Sequence, residues 1–133
     1  MYSFNFYGHR NITAKHPITI EFTKENEIGA EGDCILGVSA DFDLEEIKQF
    51  IKSLKSDKVK LEIRVGEHRE IINGIINRDF NSQTEIVLRK SSYISDRTLM
   101  INANKASVGI NRETVKELTR SRNGKVLILS DNG

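Results

Sequence analysis

The sequence predicts an α+β fold built from a strand-strand-helix-strand unit that occurs twice and closes into a small pseudo-symmetric β-barrel with two flanking helices. The alternative is an open mixed sheet with both helices on one face. Three observations carry this expectation. Apolar residues alternate with polar ones in several short segments, as in half-buried strands. Two longer segments show helical periodicity instead. The order of elements in "TIEFT", "CILGVSAD", helix, "KVKLEI" is repeated by "EIVLR", "TLMINAN", helix, "KVLIL", with the halves falling at about residues 17–65 and 84–130.

Taken in order, "YSFNFY" sets Tyr2, Phe4 and Phe6 on one side of a strand, and "PITIEFT" sets Ile18, Ile20 and Phe22 against Thr19, Glu21 and Thr23. In "CILGVSA", Gly37 allows another part of the chain to come close. "DLEEIKQFIKSLKS" is a helix with Asp43 as N-cap, Glu46 as its capping-box partner, and an apolar stripe of Leu44, Ile47, Phe50, Ile51 and Leu54. Lys48, Lys52 and Lys55 line its other side. "KVKLEIRV" alternates without error, and "GEH" turns it into "REIINGII" as a hairpin that joins the two halves. The second helix is expected over about Lys105 to Ser121, weakened by Gly109 and ended near Gly124. "KVLIL" reads as a strand covered on both faces.

A chain of 133 residues with 38% hydrophobic and 29% charged content supports one packed core, so the expectation is a single domain over 1–133. The net charge of +1 supplies no global field for nucleic acid or an anionic membrane, so any anion site must be local. The start of the chain lacks a basic leader followed by an apolar core, and no window is apolar enough for a spanning helix, which points to a soluble cytoplasmic protein without a membrane partner. Cys34 is the single cysteine, so no intrachain disulfide can form.

Two clusters of side chains could carry chemistry. The first combines His9, Asn11 and His16 of "GHRNITAKH" with Asp33 and Cys34. Two imidazoles, a carboxylate and a thiolate are ligand types for a divalent ion such as zinc, with His9, His16, Asp33 and Cys34 as the set. His9, His16 and Asp33 also suit acid-base catalysis, and Cys34 suits nucleophilic attack if a histidine lies in reach. The plain alternative is that the histidines sit at strand ends, Asp33 caps a turn and Cys34 is a small core residue. The second cluster is "RKSSYISDRT", where Arg89, Ser91 and Arg97, with Lys105 at the following helix, suit a phosphate or carboxylate. If the halves are related, the loops before "CILGV" and "TLMINA" are counterparts. His9, His16, Asp33, Arg89 and Arg97 could then share one cleft. The resulting expectation is a polar cleft for a small anionic ligand, with metal-assisted or acid-base chemistry. A noncatalytic RNA- or protein-binding module is the alternative.

The segments "GHRNITAKHPITIEFT", "GDCILGVSAD" and "RKSSYISDRTLMINANKA", with the helix after them, resemble the archaeal family known as domain of unknown function 371, over nearly the whole chain. The resemblance implies a one-domain archaeal cytosolic protein without an established activity. Two departures stand out: Glu31 replaces the basic residue usual before Gly-Asp-Cys, and "GIINRDF" stands where many members carry a second Gly-His segment.

Overall fold

The computed structural model describes residues 1–30 and 32–131, which leaves Glu31, Asn132 and Gly133 outside the description. Eight strands, two α-helices and one 3-10 turn follow one another as β1 (Tyr2–Tyr7), β2 (Thr19–Thr23), β3 (Ile35–Gly37), α1 (Leu44–Ser53), β4 (Lys58–Val65), β5 (His68–Ile76), β6 (Glu85–Arg89), β7 (Thr98–Ile101), the turn Ser107–Gly109, α2 (Arg112–Thr119) and β8 (Asn123–Ser130). No helix among the described residues is long and apolar enough to cross a membrane.

The strands form one mixed sheet in the order β1-β8-β4-β5-β7-β6-β2-β3. Pairing is antiparallel except between β2 and β3 and between β6 and β7. The sheet does not close into the barrel that the sequence suggested, and the open mixed sheet is what the strands form. At its two ends β1 and β3 share no ladder. They meet through one bridge, in which Tyr7 and Val38 exchange two backbone hydrogen bonds of 2.8 Å, and Asp41 N donates to Asn5 O at 3.1 Å. The physical reason lies in β3, which has three residues and is followed by Ser39 in the left-handed region at φ 51°. That turn directs the N–H groups of Ser39 and Ala40 to Glu25 O and Thr23 O, so no continuous ladder runs along β1.

Inward-facing residues of all parts meet in one continuous core. Phe4, Phe6, Ile20, Phe22, Val59, Leu61, Ile63 and Val65 are buried there as the alternation requires, together with Ile47 and Ile51 of α1 and Val115 and Leu118 of α2. Ile18, expected on the same face as Ile20, lies outside β2 and is 42% exposed.

Both helices differ in detail from expectation. Asp43 is the N-cap of α1, but its side chain makes no capping hydrogen bond, and Tyr2 Oη accepts from its N–H at 2.8 Å. The tyrosine hydroxyl brought over by β1 therefore does part of the work assigned to the capping box. The second helix begins at Arg112, because Asn111 caps it by accepting from Glu113 N at 2.8 Å and Ser107–Gly109 form a separate 3-10 turn. The β4–β5 hairpin is as expected, with Val65 opposite His68 across Gly66 and Glu67, and Gly66 at φ 57°.

Phe6 fixes how closely the sheet can curl. Its ring is fully buried, lies 5.0 Å from that of Phe22, and fills the space where side chains at Gly37 and Gly124 would project. The close approach at Gly37 is thus to an aromatic ring, and neither glycine has the positive φ that would give a second reason for its presence. A methyl at Gly124 must displace the ring within a packed core. Gly124→Ala should therefore lose about 1–3 kcal/mol in urea unfolding, and shortening the ring with Phe6→Leu in the same chain should return part of that loss. An unchanged midpoint for the single variant would show that the ring can move aside freely.

Candidate functional site

Strand β2 is buried along its whole length, on both faces. Ile20 and Phe22 point into the core, while Thr19, Glu21 and Thr23 on the opposite face are only 8%, 7% and 4% exposed. Three connecting segments reach the edges of the β2–β6 pair through hydrogen bonds to backbone atoms. The approach to β3 is held by Glu21 N donating to Cys34 O at 2.8 Å, and the approach to β7 by Val87 N donating to Arg97 O at 2.8 Å. Ser107 Oγ in the 3-10 turn bonds both Thr19 O at 2.8 Å and Cys34 O at 3.0 Å. Because Glu21 pairs with Val87 across the β2–β6 ladder, Cys34 and Arg97 arrive on either side of the same carboxylate.

A buried carboxylate in this position must find compensation. Arg97 Nη1 lies 3.4 Å from Glu21 Oε1 and 3.2 Å from each oxygen of Glu85, so one nitrogen serves two acids. Burial, then a hydrogen bond and charge repulsion from Glu85, push the Glu21 carboxyl up from 4.5 to about 7, against the attraction of Arg97 and Arg89. Burial works most strongly against the Arg97 charge, but the hydrogen bond to Glu85 together with the charges of Glu85, Glu21 and Cys34 outweighs it and holds the guanidinium above its usual value. The Cys34 thiol is raised, first by burial and then by the charge of Glu21, which disfavours its thiolate and hence nucleophilic attack. The group matched to proton transfer near neutrality is therefore Glu21.

The residues named from the sequence are divided among several places. Arg97 is at this carboxyl pair, with Cys34 beside it. Arg89 organises the loop above β7, with Nε donating to Thr98 Oγ1 at 2.8 Å, Nη2 to Ser95 Oγ at 3.4 Å, and its guanidinium 4.9 Å from the Tyr93 ring centre. Ser91 belongs to the same loop, its hydroxyl accepting from Tyr93 N at 3.4 Å. His16 caps the start of β2: Nδ1 accepts from Ile18 N, Thr19 N and Thr19 Oγ1 at 3.0–3.1 Å, which leaves the ring proton on Nε2. Its backbone N–H and that of Lys15 both donate to Asp33 O, so His16 and Asp33 are neighbours.

His9 is turned elsewhere. Its Nε2 bonds Glu27 at 3.0 Å and its Nδ1 accepts from Asn11 N at 3.0 Å, while Asn11 Nδ2 donates to Ile28 O at 2.8 Å. Lys105 pairs with the buried Glu70 at 3.2 Å. The expected metal set of His9, His16, Asp33 and Cys34 does not gather, and among the described residues no three His, Cys, Asp or Glu side chains stand in a metal-holding group. His9 and His16 each spend Nδ1 on their own turn, and Nε2 of His9 is taken by Glu27. Asn11 and Lys105 likewise serve internal contacts.

Glu21 was missed because it occupies a polar slot in an alternating strand, which ordinarily marks the solvent side, and Glu85 because it stands at the first position of its strand. No local signal marks them, because their pairing depends on Arg97, which is distant in sequence.

The raised Glu21 carboxyl has a measurable consequence for stability. Its folded value lies above its unfolded one, so the folded chain holds the extra proton between pH 4.5 and about 7, and stability falls as pH rises through that window. Glu21→Gln, which keeps the shape and the donor toward Glu85, should gain on the wild type progressively from pH 5 to pH 7.5, by at most about 3 kcal/mol. Paired thermal or urea unfolding across that range reads the difference directly. A constant difference would mean that Glu21 ionises as an ordinary carboxylate.

Comparison with known proteins bears on the chain as a whole. The model of the family described as a domain of unknown function, DUF371, matches residues 4–131. The chain is also 43% identical over 127 residues to an uncharacterized protein of Methanocaldococcus jannaschii, covering 91% of this chain and 90% of that one. With both helices and all but the first two residues of β1 inside the matched region, the chain belongs to the DUF371 family.

Proposed function

We propose that the protein binds a small anionic ligand at Arg97 and that Glu21 exchanges a proton with it, an acid-base site assembled from both halves of the chain. The single observation behind this reading is how Arg97 is used. Nη1 alone holds Glu85 and Glu21, the side chain is 47% exposed, and among the described residues Nε and Nη2 make no hydrogen bond. A guanidinium anchored at one corner and open along the other edge is preorganised for a bidentate carboxylate or oxyanion. Glu21 lies directly behind it, in a setting where either protonation state is accessible at neutral pH. An anion on Arg97 favours the protonated form of Glu21, so binding takes up a proton.

The same reading treats residues 1–133 as one cytoplasmic domain with two related halves. Its support is a set of matched contacts. Ala40 N donates to Thr23 O and Ala103 N to Arg89 O, in each case after a residue of positive φ, Ser39 or Asn102. Asp41 Oδ1 accepts from Asn5 N at 2.7 Å, and Asn104 Oδ1 accepts from Asn73 N at 2.9 Å. Glu21 N with Cys34 O is matched by Val87 N with Arg97 O. On this view β1 corresponds to β5, and the site lies on the pseudo-two-fold between β2 and β6. The noncatalytic alternative draws on Tyr93 and Ile94, 63% and 51% exposed beside Lys90, as a surface for RNA or protein.

Sulfate is a suitable probe because its charge is constant across the relevant pH range. Titration followed through the amide resonances of Cys34, Val87 and Thr98 should show saturable binding that tightens as pH falls from 8 to 6. Arg97→Ala should abolish those shifts, and Glu21→Gln should retain binding while removing the pH dependence. Shifts that are absent at these amides, or that survive Arg97→Ala, would overturn the reading.

A further inference from the structure

A second polar site lies away from Glu21, beside the C-terminal half of α1. A half-open cavity of about 320 Å³ is lined by Lys48, Ile51, Lys52, Arg78, Asp79 and neighbouring residues of the same loop. That volume suits one small molecule. Lys48 and Lys52 are four residues apart on one helix and so stand on the same face, where like charges repel. Among the described residues neither ammonium has a carboxylate partner. The helix thus presents an uncompensated pair of charges at the mouth of a cavity.

Arg78 changes what the end of this helix can do. Nε donates to Asp57 Oδ1 at 2.7 Å, Nη1 to Ile51 O at 3.1 Å and Nη2 to Leu54 O at 3.1 Å. The last carbonyls of a helix would ordinarily repel an anion. Here they are covered by a fixed guanidinium that retains two N–H groups, one on each terminal nitrogen, for a further acceptor. Three cations therefore surround the hollow, and one of them is already ordered before any ligand arrives. Buried Ile51 and Phe80 give it an apolar floor, with exposed Asp79 and Asn81 at the rim.

We propose that this cavity binds a small phosphate monoester that carries hydroxyl groups. The phosphate dianion lies between Lys48, Lys52 and Arg78, and the hydroxyls meet Asp79 and Asn81. A bare anion gains from the three cations but suffers repulsion from the Asp79 carboxylate. A phosphate ester bearing hydroxyls turns that carboxylate into an acceptor, so the rim selects for the ester. Neither Lys48 nor Lys52 takes part in the Arg97 site, and the two sites are independent.

The test uses the full chain and two probes, inorganic phosphate and ribose 5-phosphate, followed by calorimetry and by the amide resonances of Ile51, Asp79 and Asn81. Ribose 5-phosphate should bind saturably and more tightly than phosphate. The double substitution Lys48→Gln with Lys52→Gln should weaken it by about tenfold or more, while the thermal midpoint stays level or rises because the repulsion is gone. Asp79→Asn should narrow the preference for the ester over phosphate, and Arg97→Ala should leave the ligand-induced shifts at Ile51, Asp79 and Asn81 unchanged. Absence of saturable binding, or binding indifferent to the two lysines, overturns the proposal. Tighter binding of a short single-stranded RNA than of ribose 5-phosphate, lost with the same lysines, also overturns it, because the phosphate would then come from a nucleic-acid backbone.

Discussion

The antiparallel pairing of β2 with β6 is the constraint on which the rest of this molecule depends. Its register sets Glu21 opposite Val87, and the parallel strands β3 and β7 flank the pair on its two outer edges. A parallel neighbour cannot be reached by a tight turn, so the chain must cross over before entering it. The outer face of β2 is removed from water, with Thr19, Glu21 and Thr23 all buried. A face that an isolated hairpin would leave wet becomes interior, and whatever polar side chain it carries has to be satisfied by protein.

This constraint explains which parts of the fold could be read directly from the sequence. Periodicity is a local property, and it located the inward faces of β1, β2 and β4 and the buried stripe of α1 because side-chain direction alternates or recurs whatever the surroundings are. It failed for the outer face of β2, where burial is imposed by segments distant in sequence. The expected long second helix failed for a different reason. Gly109 and the Asn111 cap act over a few residues, and a periodic pattern spread over a longer window averages them away. The barrel expectation failed at Ser39, whose left-handed conformation has no signature in a serine side chain.

The candidate site was legible only in part for the same reason. Arg97, expected to hold an anion, and Cys34, expected as a metal ligand or nucleophile, flank one carboxylate that neither expectation included. The two histidines attracted attention because imidazole is a versatile group, yet their ring nitrogens close short turns at Asn11 and at Thr19. Local hydrogen bonding competed with long-range chemistry and prevailed, as polar side chains next to free backbone N–H groups tend to do.

Buried glutamates give the sharpest contrast within the structure. Glu62, Glu70 and Glu21 are 4%, 6% and 7% exposed, and all stand on strands. Glu62 is bound by both Arg64 and Arg69, and bonding to Arg69 holds its carboxyl below the usual range. Glu70 receives Lys105 Nζ at 3.2 Å on one oxygen and Thr114 Oγ1 at 3.0 Å on the other. Those two acids are fully engaged, and their charges are consumed in tying strands to a hairpin and to α2. Glu21 has one guanidinium nitrogen, shared with a second acid, at the longer distance of the two. A third cation at Glu21 would have settled its charge in the way that Glu62 is settled, and the fold evidently has room for arginine on such a face. Leaving one buried carboxyl under-compensated costs stability above neutral pH. That cost is intelligible if an anion at the open edge of Arg97 requires a neighbour that can become neutral.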